Sequence, residues 1–178
     1  MPGSHSGSDV RAAALILTLA IGVRPAAAQD VSLEYHVKAA YLYNFVKFVQ
    51  WPPEAREGPL NICIAGRNPF GTVLAETIHE ENVDGRMLTS RIILEPEPDC
   101  HVLFVPEGAA AAYLRAARGT PTLTVGETDD FLTEGGVIGF VKQGSNVRFA
   151  ISTEAADQAR LRVSSRLLQL AINTRGKR

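Results

Sequence analysis

The sequence predicts an α/β fold: a mainly parallel sheet flanked by helices, closing with a β-hairpin and a C-terminal helix. Three observations carry this. Short β-rich runs (LNICIA, MLTSRIIL, CHVLFV, LTV) alternate with helical stretches, the order that builds a parallel sheet covered by helices. CHVLFV is almost continuously apolar, as a strand buried on both faces is. Two further runs, VIGFVK and NVRFAIS, flank Gly144-Ser145, which reads as the turn of a hairpin.

The elements follow in chain order. After Arg11 comes AAALILTLAIGV, an apolar run of 12 residues, and then RPAAAQD. A spanning helix needs about 20 residues. Ala26-Ala27-Ala28 fits the small-residue rule for signal cleavage, so residues 1–28 read as a signal peptide. The rest, from Gln29 to Arg178, reads as one domain, with no internal repeat or linker. Export implies a periplasmic or extracellular compartment and no membrane insertion after signal removal.

Residues 34–50 read as a helix. Val37, Tyr41, Phe45 and Phe48 recur at spacings of four, four and three, and Ala39, Leu42, Val46 and Val49 form a neighbouring stripe. Glu34 and Lys38 are an i,i+4 pair, and Trp51-Pro52-Pro53 ends the helix. The apolar arc is wider than one packing face requires. Five of the chain's 12 aromatics (Tyr41, Tyr43, Phe45, Phe48 and Trp51) lie in this short run. Something must cover them.

Strands are expected over residues 60–65, 87–94, 100–105, 123–125, 137–142 and 146–152. Helices are expected over residues 70–80 and 109–118, with a loop over 128–136. Residues 154–173 read as mostly helical, and Ser164-Ser165 offers an alternative in which a separate last helix starts at Arg166.

Charge excludes some functions. The net charge is −1, with no basic block for nucleic acid or an anionic membrane surface. Cys63 and Cys100 match neither a zinc nor a CxxC pattern. In an oxidising compartment they are a candidate disulfide, with two buried thiols as the alternative. His36, His79 and His101 lack ligand spacing, so no metal or other cofactor is expected. There is no GxSxG elbow, and Glu80-Glu81 and Asp129-Asp130 lie in polar turns. No catalytic residue is assigned, and a non-enzyme is expected.

One loop invites a ligand. GRNPFG (Gly66, Arg67, Asn68 and Gly71 among its residues) follows a strand and opens a helix, where anions bind in α/β folds, but it has no P-loop ending. Arg148 stands in an otherwise apolar strand, either as a surface residue or as a partner for a ligand carboxylate.

Together, VKAAYLYNFVKFVQWP, LNICIAGRNPFG, CHVLFVPE, TLTVGE, GGVIGFVKQGSNVRFAIS and the SSRLLQLA tail resemble the YfiR family of periplasmic regulators, in order from Val37 to Ala171. The resemblance implies an exported α/β protein that tends to dimerise. It implies binding to the periplasmic part of a membrane-anchored diguanylate cyclase, which is held inactive, so that cyclic di-GMP and biofilm formation are lowered. Cys63 and Cys100 match family cysteine positions; the second pair of some relatives is absent. Arg160 stands where many relatives have glycine. On this reading one helix stripe packs on the sheet, while Tyr41, Phe45, Phe48 and Trp51 meet a second subunit or the partner. The competing arrangement makes both stripes core. A small-ligand sensor built on Gly66, Arg67, Asn68, Gly71 and Arg148 is the alternative function.

Overall fold

The computed structural model describes residues 1, 3, 27–108 and 110–175; the apolar run of the expected signal peptide lies outside them. Helix α1 (Ala27–Phe48) begins before the expected residue 34 and stops two residues short of the expected 50, because the chain passes into a short strand β1 (Val49–Gln50) before a single 3₁₀ turn (Pro53–Ala55). Strand β2 (Leu60–Ala65) follows. Helix α2 (Val73–Thr77) is shorter than the expected 70–80, because Asn68 holds the preceding loop as a turn. Its Oδ1 accepts from Phe70 N at 2.9 Å and its Nδ2 donates to Gly71 O at 2.9 Å.

Strands β3 (Asn82–Val83), β4 (Arg86–Ile93) and β5 (Val102–Val105) come next, then α3 (Ala110–Ala117), β6 (Leu123–Gly126), β7 (Ile138–Gln143) and β8 (Asn146–Ser152). The tail is α4 (Thr153–Gln158), β9 (Arg162–Val163), α5 (Ser165–Leu170) and β10 (Thr174–Arg175). The continuous helix expected over 154–173 is therefore broken, and the alternative with a separate last helix is the one observed. Arg160 sits at φ +56°, a left-handed turn that stops α4. Ser164 caps α5, its side chain accepting from Leu167 N at 3.2 Å. Between the two helices β9 pairs with β1, which a continuous helix would forbid.

The main sheet has the order β10-β8-β7-β6-β5-β2-β4-β3. Strands β4, β2, β5, β6 and β7 are mutually parallel, and β7-β8 is the antiparallel hairpin. The chain goes from β2 out to β4 and returns to β5 on the other side of β2, so a topological switch point lies between β2 and β5. The hairpin was expected to close the sheet edge; instead β10 adds alongside β8, in parallel.

Each face carries a core. One gathers α1, α2, the tail helices and one side of the strands around Phe45, Phe104 and Phe149. The other packs α3 and Phe131 against the Cys63–Cys100 disulfide, whose Cα atoms are 5.7 Å apart. Phe131 is fully buried in the loop after β6. It fits only because two glycines flank it: a Cβ at Gly126 or at Gly136 would stand 2.2 Å from the ring. Gly126→Ala is therefore expected to destabilise the protein by about 1–3 kcal/mol through overpacking. Chemical denaturation checks this, and an unchanged midpoint would show that Phe131 has room to move.

Candidate functional site

The aromatic run of α1 meets a dense ring cluster inside the chain. Phe45 is fully buried, 5.0 Å (centroid to centroid) from Phe149 and 5.9 Å from Phe140. Tyr41 is half-buried, packs edge-on against Phe149 at 5.3 Å and donates its hydroxyl to Val147 O at 3.3 Å. Trp51 is buried and donates its indole N–H to His101 O at 3.3 Å. Phe48 is half-buried beneath the Arg166 guanidinium, 5.6 Å from its ring. Phe45 and Trp51 thus have no surface to offer a partner in this fold. The competing arrangement, with both stripes in the core, describes them.

What α1 does leave exposed is a different stripe. Leu33 and Val37 are 68% and 37% exposed. With Ala40 and Lys47, also exposed, they lie on one side of the helix, beside the half-buried Tyr41, Asn44 and Phe48. Periodicity alone does not separate this stripe from its neighbour, because the two overlap on the helix circumference.

The expected ligand residues do not share a cleft. Gly66, Arg67, Asn68 and Gly71 lie in the turn after β2, and Arg148 is exposed on β8. Three strands stand between β8 and β2, a separation of about 19 Å at the usual strand spacing. The turn itself is held by Asn68, as described above.

Two other places concentrate polar chemistry. The first lies at the carboxyl ends of the parallel strands, where α/β folds place their sites. Lys38, only 4% exposed, reaches from α1 to Glu127 just after β6 (2.5 Å) and to Glu34 one turn back (2.5 Å). Tyr35 donates its hydroxyl to Glu127 at 3.2 Å, and Lys142 pairs with Glu34 at 3.0 Å. Burial, with the Glu127 charge behind it, pushes the Tyr35 phenol well up. Burial alone would raise the Glu34 carboxyl, but hydrogen bonds and charge from Lys38 and Lys142 outweigh it and hold the pKa low. A cavity of about 270 Å³ opens beside this cluster, lined also by Glu107, Phe140 and Val147. The sequence shows Glu34 and Lys38 as an i,i+4 pair; their burial, and the third member 89 residues away, come from the fold.

The second place surrounds Trp51 at the opposite end of the sheet. A cavity of about 380 Å³ has an apolar floor of Val46, Val49, Leu60 and Val83 beneath Arg56 and Arg86. A groove of about 470 Å³ on the other side is lined by Pro52, Pro53, Arg56, Arg160 and Arg162. Arg56 donates Nε–H to Trp51 O at 2.7 Å, and Arg160 pairs with Glu54. Arg86 is a clamp: it donates to the carbonyls of Ala55 (3.1 Å), Glu57 (3.1 Å), Gly58 (2.7 Å) and Pro59 (3.2 Å).

The His101 ring completes that clamp. Asn61 N–H donates to its Nδ1 at 3.2 Å, and its Nε2 stands 3.0 Å from Ala55 O and 2.8 Å from Arg86 Nη2. Burial, and then the positive charge of Arg86, hold the His101 pKa below its usual value; the hydrogen bond to the Ala55 carbonyl and then the Asp99 charge oppose them. A folded-state pKa below the unfolded one gives stability that is complete above about pH 6.5 and is lost as pH falls through the folded value. Thermal melts from pH 7.5 to 5 should therefore decline, and His101→Gln should flatten that decline. A decline of equal slope in the variant would assign it elsewhere.

Among the described residues no group of three or more His, Cys, Asp or Glu side chains is placed to hold a metal ion, and no helix is long and apolar enough to cross a membrane.

Comparison with known proteins gives two findings. The family model described as YfiR/HmsC-like matches residues 35–172. The crystal structure of a conserved domain protein from Vibrio cholerae O1 biovar El Tor superposes with a TM-score of 0.54 at 11% identity, covering 79% of this chain and 60% of that one. At this identity the likeness concerns the fold, and this chain spans three fifths of that chain's length. No curated protein matches the sequence.

Proposed function

The chain belongs to the YfiR/HmsC-like family, and on that premise we propose that it is an exported regulator that acts without chemistry of its own. It binds the periplasmic part of a membrane-anchored diguanylate cyclase as a homodimer and restrains it, lowering cyclic di-GMP and biofilm formation. The observation that carries this reading is the family match, which spans every element from α1 to α5. Regulation of this kind needs only a surface with different affinities for two states of the partner. The exposed side of α1 at Leu33 and Val37 suits such a surface, since both are apolar and lie outside the core.

Cellular cyclic di-GMP, measured with and without the gene, tests the proposal. A rise on deletion that wild type reverses and Val37→Glu does not would support both the restraint and the surface. No rise on deletion would remove the cyclase from the account. A second reading, small-ligand sensing, is favoured by the arginine-lined groove beside Trp51 rather than by the Gly66 turn and Arg148. The two readings are compatible, because a regulator needs an input.

A further inference from the structure

We propose that the cavity of about 270 Å³ beside Lys38 and Glu127 binds a small organic ammonium, a protonated amine carried on a short apolar or aromatic body. Binding of this kind needs neither a cyclase nor a second copy of the chain.

Topology sets the place. Glu107 follows β5, Glu127 follows β6, and Phe140 and Lys142 lie in β7 just past its pairing with β6. The carboxyl ends of three adjacent parallel strands thus wall the cavity, and α1 adds Glu34, Tyr35 and Lys38. This end of an open α/β sheet is where the connections diverge and leave a crevice for ligands. Ligand pockets run from about 300 to 1,000 Å³, so the cavity suits a small molecule.

Charge selects the occupant. The walls carry three carboxylates, Glu34, Glu107 and Glu127, against the two ammoniums of Lys38 and Lys142. Both ammoniums are engaged: Lys38 lies between Glu34 and Glu127, and Lys142 pairs with Glu34. An anion would have to break these pairs. The carboxylates, in contrast, keep capacity. Glu107 is exposed and has no ion-pair partner among the described residues. Glu127 takes two side-chain donors among the described residues, the Tyr35 hydroxyl and the Lys38 ammonium, whereas a carboxylate offers about four acceptor sites. The aromatic walls favour the same sign. The Tyr35 and Phe140 rings already hold Lys38 Nζ at 4.6 and 5.7 Å from their centroids, and a second cation beside them meets the same ring faces. Phe140 and Val147 give the body of the ligand an apolar wall. The arginine-lined groove beside Trp51 has the opposite character and suits an anion.

Isothermal titration calorimetry of the purified chain tests this with three probes of one shape: phenethylamine, phenethyl alcohol and phenylacetate. The amine is expected to bind at a single site in the micromolar to millimolar range, with the alcohol and the carboxylate weaker by about tenfold or more. Glu107 is exposed and stands outside the Lys38 pairs, so its variants should melt as wild type does. Glu107→Lys should weaken the amine by about tenfold or more, because it turns an attractive charge into a repulsive one. Glu107→Gln, which keeps the shape, should show a smaller loss in the same direction. Equal binding of amine and alcohol would overturn the ammonium as the recognised group. An amine affinity that neither Glu107 variant changes would place the ligand elsewhere and overturn the site. No heat from the amine at millimolar concentration would overturn both.

Discussion

Replacing Lys38 by Met is expected to destabilise the protein by about 3–5 kcal/mol, the range for removing one partner of a buried pair. Methionine fills most of the lysine stem's volume, so the loss reports charge rather than a cavity. Lys38 is 4% exposed and bridges two carboxylates, with the Glu127 side chain at 11% exposure. Without the ammonium, the Tyr35 hydroxyl is the side-chain donor left to Glu127 among the described residues. That leaves a buried carboxylate without the charge it faced. Adding Glu127→Gln to Lys38→Met should recover much of the loss, because the double variant buries no unpaired charge. A double variant as unstable as the single one would mean that lost packing accounts for the effect.

The same cluster has a pH signature. The Glu34 pKa lies below its usual value in the folded chain. Its contribution is therefore present above about pH 4.3 and lost as pH falls through the folded value. Wild type should lose stability on acidification from pH 5 to 3, and Lys38→Met should show a shallower decline over that window. This is separate from the His101 decline, which falls at higher pH.

Reducing the Cys63–Cys100 bond is expected to have an effect of similar size. The cysteines are 37 residues apart, and the chain-entropy model assigns about 4 kcal/mol to a loop of this length. For a chain of this size that corresponds to a fall of roughly 8–16 °C in Tm. The bond ties the middle of β2 to the residue entering β5, across the switch point, inside the core beneath α3. Cys63→Ala/Cys100→Ala should melt where the reduced wild type melts, and adding reductant should leave its melt unchanged. A wild-type melt indifferent to reductant would show that the core alone positions these two strands.

Local features of the chain were legible without the fold. The Gly144-Ser145 turn is flanked by the two strands it predicts, with Gly144 at φ +60° as a tight hairpin requires. The alanine-rich helix and the apolar strand opening after Cys100 also stand where nearest-neighbour chemistry places them. Each depends on residues within a few positions of one another: a period of two or of about four, or a glycine that tolerates a left-handed turn. The family resemblance was legible for the same reason, since its motifs are runs of adjacent residues.

Other features were not legible, because their cause lies far along the chain. Whether a tyrosine or phenylalanine of α1 faces the sheet or solvent depends on Phe140 and Phe149, roughly a hundred residues later, and not on helix spacing. Lys38 reads as half of an ordinary surface pair until Glu127 arrives to bury it. Gly126 and Gly136 look like loop punctuation until Phe131 is seen between them. The tail reads as one helix by periodicity, yet β1 takes residues 162–163 as a strand. The sequence by itself determined the fold class, the order of the longer strands, the hairpin turn and the family. Only the tertiary structure decided which apolar stripe is core and which charges are buried, because burial is set by the elements that pack together and not by the residues next door.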